Sequence, residues 1–340
     1  MEANSAGWSG GDIVTSGKQF INAPGGKWAA DQLLKALEEG RPLSTAELRV
    51  AGTLRKDEWI HLDDALVQEG IIRLKGVADL MAAGLVINVP NAMGKTIFQW
   101  EAVTDMNPAE VSLGGVDRTE NDRVLFELNN LPLPIIHKDF NLNLRTLEAS
   151  RTRGESLDTT QARIAGRLCM EKLEYMYFNG GPTFGAAPIY GLTNHPNRNI
   201  VAIGTSWTTA TGEVILAKVL EMIGAAQADR FYGPYMLYVP ANYNLFLDAD
   251  FKANSDKSIR QRLLEVDGLQ GIRVVDQLTS SNVVLVQMTR DVVSLVEGEP
   301  LQTVQWDTEG GFIVKFKAFA IMVPLIRADA QDRSGVVHAS

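Results

Sequence analysis

Residues 155–180, which read ESLDTTQARIAGRLCMEKLEYMYFNG, predict one long helix to which the rest of the chain attaches. Asp158 followed three residues later by Gln161 resembles a capping box, which marks a helix start. The Asn-Gly-Gly-Pro run at 179–182 predicts its end, because Asn and Gly suit a left-handed C-cap and proline cannot continue a helix. Roughly 22 helical residues would span about 33 Å, which is long for a domain of this size. Apolar residues recur at helical spacing at Leu157, Ile164, Leu168, Cys169, Leu173 and Met176.

Composition bounds what such a chain can do. Its 340 residues, 45% hydrophobic and 21% charged, are enough for one large or two small domains. A net charge of −9 excludes a global basic field that would recruit nucleic acid. The single cysteine, Cys169, excludes an intrachain disulfide, fits a reducing cytosol and is expected in the core. No apolar run reaches the length of a membrane span and the N-terminus lacks signal-peptide features, so we expect neither membrane insertion nor export.

A two-stranded ribbon is predicted before the long helix. Residues 96–104 alternate polar and apolar, 105–122 form a polar tip, and 123–128 return as a second strand. A ribbon has one layer, so its apolar face needs a cover, and a second copy of the chain is the cover we expect; a ribbon folded onto its own domain is the alternative. The apolar side chains are Phe98, Trp100 and Ala102 on the first strand, and Val124, Phe126 and Leu128 on the second.

The remaining pattern mixes helices and strands, which predicts an α+β or α/β sheet with mixed connections. Residues 1–27 resemble an arm without periodicity, and 182–199 a loop rich in Gly, Pro and Asn. Helices are predicted at 28–39, 44–54, 57–70, 211–229, 241–247 and 258–264, the fourth capped by Thr211 and carrying Val214, Ile215, Leu220 and Ile223. Strands are predicted at 85–89, 136–144, 235–240, 272–276, 283–288, 292–295 and 312–323, the last being the longest and ended by Pro324.

The sequence contains no recognisable catalytic, metal-binding or cofactor-binding motif. Gly94-Lys95-Thr96 resembles the end of a phosphate-binding loop, but Val89 stands where that loop needs a glycine. His61, Asp63 and Asp64 do not share a helix face, so a metal site is not expected. The loop around His195 is explained by turn formation. We therefore expect no catalytic residue, no metal and no cofactor, and an enzyme would need a site composed from distant segments.

The order of these elements resembles the HK97-fold family of tailed-phage major capsid proteins and the related encapsulin shell proteins. The resemblance runs from about Trp28 to His338 and includes the long helix and the closing phrase FKAFAIMVPLIR. It implies an α+β, HK97-like fold with an arm, an extended ribbon called the E-loop, a spine helix, and peripheral and axial domains. The implied segments are 1–45 arm, 46–95 N-terminal helical part of the peripheral domain, 96–130 E-loop, 131–190 peripheral domain with spine helix, 191–305 axial domain and 306–340 returning strand.

The resemblance also implies a function. We expect self-assembly through pentamers and hexamers into an icosahedral shell that encloses double-stranded DNA without sequence-specific binding, with a portal, a separate scaffold and decoration proteins as candidate partners. The protein would lie in the virion after assembly in the host cytoplasm, and an acidic lumen would keep DNA from adhering. Because the tip 105–122 contains no lysine, the Lys–Asn cross-link of some family members is not expected.

Candidate inter-subunit contacts follow from the ribbon and the segment behind it. Acidic and basic side chains are interleaved along the tip. In a contact with a neighbouring subunit they would fix the register of the contact more than its strength, because exposed ion pairs contribute about 0–1 kcal/mol each. A solvated loop is the alternative. The candidates are Phe98, Trp100, Asp117, Arg118, Glu120, Asp122, Arg123, Arg145, Arg151 and Arg153.

Two alternatives remain at this point. An encapsulin nanocompartment would need an apolar groove for a cargo peptide, to which the helix 28–39 could contribute. A cytosolic enzyme would form a small oligomer with a deep pocket and perturbed ionisable groups.

Overall fold

The computed structural model describes most of the chain after residue 73. The described residues are 62, 74–103, 126–143, 145, 149, 159–185, 187–252, 256–279, 281–308, 313–329 and 331–340. The predictions for the arm, for the first two helices, for the helix 57–70 except Leu62, and for the ribbon tip lie outside these residues.

The chain divides into two compact units. The first comprises 1–74, 135–172 and 299–321, and the second comprises 75–134, 173–298 and 322–340. No helix in the described part of the chain is both long and apolar enough to cross a membrane.

Strand pairing forms the described part of the first unit. Strand β4 (Ile136–Asn143) pairs antiparallel with β10 (Ile313–Ile326), placing Phe140 opposite Phe316. The two rings stack with centroids 5.0 Å apart. The Cys169 thiol is buried here, with Sγ 3.7 Å from the Ala318 carbonyl oxygen, and burial raises its pKa to about 11. Cys169 is therefore a core residue, as predicted.

The predicted long helix is confirmed as α2 (Thr160–Asn179), 20 residues long, although the predicted cap Asp158 lies outside the described residues. Cys169, Leu173 and Met176 are buried as expected. Ile164 and Leu168 were predicted on the same face but are 43% and 37% exposed. The buried face of the helix includes small residues, against which neighbouring segments can pack closely. The prediction had assigned the buried face from the large apolar residues alone. Those small buried residues are Ala162, Ala165 and Gly166.

A buried carboxylate of α2 organises the start of α1 (Gly76–Ala82). Glu174 Oε1 accepts the backbone N–H groups of Lys75 at 3.1 Å and Gly76 at 2.7 Å, and Oε2 accepts that of Val77 at 3.1 Å. These N–H groups have no partner within the helix. Burial raises the pKa of Glu174, and the three hydrogen bonds oppose that shift. Glu174 thus caps α1 from a distant part of the sequence.

A mixed five-stranded sheet of order β5-β11-β8-β6-β7 forms the core of the second unit. Strand β8 is antiparallel to β6 and β11, whereas β11 with β5 and β6 with β7 are parallel, so the predicted mixed connections are confirmed. Helix α3 packs on it with Ile215 and Ile223 buried as predicted, but Val214 and Leu220 are exposed. The elements are β5 (Asn199–Val201), α3 (Gly212–Ala228), β6 (Tyr235–Pro240), α4 (Asn244–Leu247), α5 (Ile259–Leu264), β7 (Leu269–Val275), β8 (Val283–Gln287) and β11 (Val336–Ala339).

Several strands differ from the sequence prediction in their bounds or were not predicted. The strand predicted at 292–295 is β9 (Val293–Thr308), which at 16 residues is longer than β10. It pairs in parallel with β1 (Val86–Asn88) only at its start, over Leu295–Glu297, and its other hydrogen-bonded neighbour in the sheet is β10. Pairing with a second strand lets β9 continue through a polar stretch that breaks the apolar pattern. Pro324 lies inside β10 instead of ending it, because a strand tolerates proline where the ladder needs no N–H at that position. The short strands β5 and β11 were missed.

Candidate interaction site on the ribbon and the cleft at its base

The predicted ribbon is present in the second unit. Strand β2 (Ile97–Val103) pairs antiparallel with β3 (Phe126–Pro132), with Phe98 opposite Leu131 and Glu101 opposite Leu128. The side chains of Gln99 and Asn130, which are also paired, join through a 2.8 Å hydrogen bond. The described strands therefore form a regular two-stranded ladder.

The register puts apolar side chains on both faces of the ribbon. Directly paired residues share a face, so Trp100 lies with Asn129, whereas Leu128 lies with Glu101 on the opposite face. Phe126 and Leu128 are 66% and 55% exposed. The expectation of a single apolar face was wrong, because each strand alternates regularly but the pairing sets their two apolar series out of phase. Each face of the ribbon thus carries apolar surface.

A cleft of about 580 Å³ lies between the ribbon base and the body of the second unit. The ribbon contributes Trp100, Asn129 and Leu131, and the opposite walls come from residues 184–197 and 324–332. Aromatic residues, prolines and carboxylates line it together, notably Phe184, Pro188, Tyr190, His195, Pro324, Asp329 and Asp332.

One wall of the cleft is fixed because its loop caps the end of α2. The backbone N–H of Leu192 donates to the Tyr177 carbonyl at 2.9 Å, and the N–H of Thr193 donates to that of Phe178 at 2.9 Å. Asn194 Nδ2 donates to the Asn179 carbonyl at 3.0 Å. These are carbonyl groups that a helix end leaves without partners. The turn-rich loop at 191–194 therefore serves as a helix cap.

Glycines allow this close approach. A Cβ added at Gly191 would lie 2.2 Å from the Gly180 nitrogen, and Gly180 itself has a φ of +82°. Only glycine fits either condition without strain. The predicted end of the helix at Asn-Gly is thus confirmed. The same glycine also lets the loop 191–194 pack closely against the helix end.

His195 lies in the cleft wall and is neutral at pH 7. Burial lowers its pKa to about 4, and the nearby Arg198 guanidinium adds to the shift. Its Nδ1 accepts the backbone N–H of Asn197 at 3.3 Å, so the ring proton is on Nε2. The sequence interpretation, a residue of a turn, gave no indication of this burial.

A second histidine shares the same arginine. Arg198 Nε donates to His338 Nδ1 at 3.3 Å, and His338 Nε2 lies 3.0 Å from Asn282 Oδ1. Burial, with a smaller contribution from Arg198, lowers the pKa of His338 to about 4. Two neutral imidazoles therefore flank one permanent cation.

The predicted contact residues are only partly described. Phe98 and Trp100 are half-buried and stack with centroids 6.4 Å apart. Arg145 is exposed in the first unit, where its N–H donates to Asn143 Oδ1 at 2.8 Å. The alternation of the second strand could have added Phe126 and Leu128 to the candidates, but nothing in the sequence singled out Tyr190. The others lie outside the described residues: Asp117, Arg118, Glu120, Asp122, Arg123, Arg151 and Arg153.

Within the described residues, no cluster of three His, Cys, Asp or Glu side chains could hold a metal ion. Lys95 is exposed and follows a short 3-10 turn at Ala92–Gly94. This turn does not form the long glycine-rich backbone cradle that phosphates require.

Comparison with known proteins gives a family and a fold. The model of a family described as "Family of unknown function (DUF6260)" matches residues 49–339. The type 1 encapsulin shell protein EncA of Myxococcus xanthus is 26% identical over 234 residues, which are 68% of this chain and 71% of that protein.

Solved structures resemble most of the chain. The virus-like particle from Pyrococcus furiosus superposes with a TM-score of 0.62 at 17% identity, covering 84% of this chain and 99% of the other. The capsid of Myoviridae phage XM1 gives 0.61 at 12% identity, covering 76% and 90%. Such identities show the fold alone, and the expected α+β, HK97-like fold is confirmed.

Proposed function

Because the chain belongs to the family of unknown function DUF6260 and has an HK97-like fold, we propose that it is a shell-forming protein with no enzymatic role. Copies of the chain would associate into pentamers and hexamers that close into an icosahedral container. Heterologous contacts generate rings when their rotation closes, and many weak contacts per subunit make the assembly stable.

The observation that carries the proposal is the ribbon with apolar residues on both faces. Phe126 and Leu128 are mostly exposed, and a two-stranded ribbon is marginal in water without a second layer. A second copy would supply the missing cover for the face that carries these two residues. The similar solved structures are a virus-like particle and a phage capsid, which supports this choice of partner.

Double-stranded DNA is the content that we propose, which makes the protein a major capsid protein of the virion, assembled in the host cytoplasm. The phage capsid among the similar structures supports this proposal. The net charge of −9 fits enclosure without adhesion, because an acidic protein does not attract phosphates. A portal, a scaffold and decoration proteins remain candidate partners.

A shell filled with protein cargo is the second candidate. The similarity to the encapsulin shell protein of M. xanthus favours it, since that match is in sequence and covers two thirds of this chain. The two candidates share the assembly step and differ only in what the shell encloses.

Electron microscopy of the protein expressed alone tests the proposal. We expect uniform closed shells in negative stain, and the ratio of absorbance at nucleic-acid and protein wavelengths after nuclease treatment reports any enclosed DNA. Co-purification of one host protein at fixed stoichiometry would instead select the second candidate.

A homogeneous small oligomer under all salt and crowding conditions would contradict shell formation. Dissociated subunits that keep the circular dichroism of the assembled protein are the control, because they show that a failure to assemble is not a failure to fold.

A further inference from the structure

The cleft at the ribbon base has the dimensions of a small-molecule site. Its volume of about 580 Å³ falls inside the range of roughly 300–1,000 Å³ that is typical of ligand pockets. All of its lining residues belong to the second unit. Shell formation as proposed above assigns no role to this cleft.

Three aromatic side chains line the cleft and are not buried in the hydrophobic core. Phe184 and Tyr190 are exposed and Trp100 is half-buried, although each lies on a concave surface. The rings of Tyr190 and His195 form a T-shaped pair with centroids 5.5 Å apart and an interplanar angle of 72°. Ring faces of Trp and Tyr are stacking surfaces for planar groups.

The walls that carry these groups are held in place. Hydrogen bonds to the end of α2 anchor the loop after Tyr190. On the facing wall, Asp329 Oδ1 accepts the N–H groups of Gln331 and Arg333, both at 2.9 Å. Asn197 Nδ2 then joins the two walls by donating to Asp332 Oδ1 at 2.7 Å. A site formed in advance loses little entropy on binding.

The polar groups of the cleft define the chemistry of its ligand. His195 is 6% exposed and carries its proton on Nε2, for which no acceptor lies in hydrogen-bonding distance among the described residues. The charged side chains in the lining are the carboxylates of Glu127, Asp329 and Asp332, of which Asp329 forms an ion pair with Arg333. The buried His195 N–H adds to the donors that Trp100, Tyr190 and the asparagines of the lining offer, and the two remaining carboxylates make the rim negative, which disfavours anions.

We propose that this cleft binds a planar heteroaromatic small molecule, neutral or cationic, that stacks on Trp100 and Tyr190 and accepts a hydrogen bond from His195 Nε2. The proposal is independent of what a shell would enclose and of whether one forms.

Two fluorescent probes with one ring system test it on the full, nuclease-treated chain. Aminomethylcoumarin is planar and neutral with a carbonyl acceptor, and aminomethylcoumarin acetic acid adds a carboxylate. Fluorescence anisotropy should show saturable binding of the neutral probe at one per subunit and weaker binding of the anionic probe.

Substitutions locate the site. Trp100→Ala and Tyr190→Ala should each weaken binding of the neutral probe about tenfold, because one ring contact is removed. The control Tyr232→Ala removes a tyrosine that is 70% exposed in the same unit but does not line the cleft, and it should leave the dissociation constant unchanged. Binding should fall in His195→Leu and return in His195→Gln, which keeps a donor.

Three results would overturn the proposal: no saturable binding of the neutral probe up to its solubility limit, equal or tighter binding of the anionic probe, or affinity unaffected by both ring deletions. Circular dichroism checks that each variant folds. Should Trp100→Ala fail to fold, Trp100→Leu keeps apolar bulk on β2 while removing the ring face.

Discussion

Strands β8 and β3 both carry large apolar side chains but have opposite surroundings. Every residue of β8 is buried, and Leu285 at its centre is fully enclosed between two neighbouring strands. On β3, Leu128 is more than half exposed although it occupies a regular ladder. β8 is the middle strand of five with helices packed on the sheet, whereas β3 belongs to a two-stranded sheet and has one partner strand.

The difference teaches where this chain completes its own core and where it does not. A sheet covered by helices satisfies both its hydrogen bonds and its apolar surface. A ribbon satisfies hydrogen bonds on one edge only and leaves its apolar surface to something else. We therefore expect changes on β8 to affect folding and changes on β3 to affect association.

The largest effect is expected for Leu285→Ala. Removing a fully buried leucine side chain leaves a cavity that the packed sheet cannot close, which should lower the free energy of unfolding by about 3 kcal/mol. Urea denaturation of dissociated subunits, followed by tryptophan fluorescence, measures it. A loss below about 1 kcal/mol would mean that β8 is not the closed core described above.

Acidification should weaken the second unit by a somewhat smaller amount. The pKa values of His195 and His338 are lowered to about 4, so the stability they contribute is present above their unfolded value and is lost as pH falls from about 6.5 towards 4. A pKa unit corresponds to ~1.4 kcal/mol, and with screening by nearby solvent we expect a combined loss of about 2 kcal/mol. Denaturation midpoints measured across this pH range report it.

His338→Gln should flatten that pH dependence, whereas His137→Gln, at an exposed position on β4, is the control and should not. Equal slopes in the wild type and in His338→Gln would show that the buried imidazole does not contribute.

Glu174→Gln should cost about 1–2 kcal/mol. The amide keeps one acceptor oxygen but turns an NH₂ group towards a backbone N–H of α1 that the carboxylate now satisfies. Hydrogen exchange of the amides of Lys75, Gly76 and Val77 localises the effect. The control is Glu101→Gln, at an exposed position on β2 of the same unit. Unchanged protection of α1 in Glu174→Gln would contradict the capping role.

The smallest effect on stability is expected for Leu128→Ala, the counterpart of Leu285→Ala on the ribbon. An exposed leucine should change the free energy of unfolding by less than about 0.5 kcal/mol. Assembly should nevertheless weaken, and size-exclusion chromatography with light scattering reports the fraction of subunits in shells. A stability loss as large as that of Leu285→Ala, or unaltered assembly, would remove the contrast between the two strands.

The sequence predicted the elements of this fold better than their surroundings. The end of α2 follows from an Asn-Gly stop, and the strand Tyr235–Pro240 follows from a continuous apolar run. The helix predicted at 258–264 is present, and the structure adds a capping box between Ser258 and Gln261 that the prediction did not name. The sequence was a poorer guide to which face of each helix is buried. Ile164 and Val214 have the size of core residues but are exposed, because the segments that each helix meets decide which of its faces is buried.

The candidate site was predictable only where its residues belong to a strand with a local pattern. Phe98 and Trp100 stand out by alternation on one strand, and the order of elements was sufficient to indicate the HK97-like fold. Tyr190 and His195 carry no such signal, because the loop that holds them acquires its position only from the helix end that it caps.

Hydrophobic period, turn residues and caps are local properties, and by themselves they indicated most of the described helices and strands, although α1 was not predicted. Only the tertiary structure decided the register of β2 on β3, the enclosure of His195 and His338 around Arg198, and the capping of α1 by Glu174. Each of these depends on which distant segments meet, and a pairing between strands or a hydrogen bond between residues 98 positions apart leaves no periodic trace in the sequence.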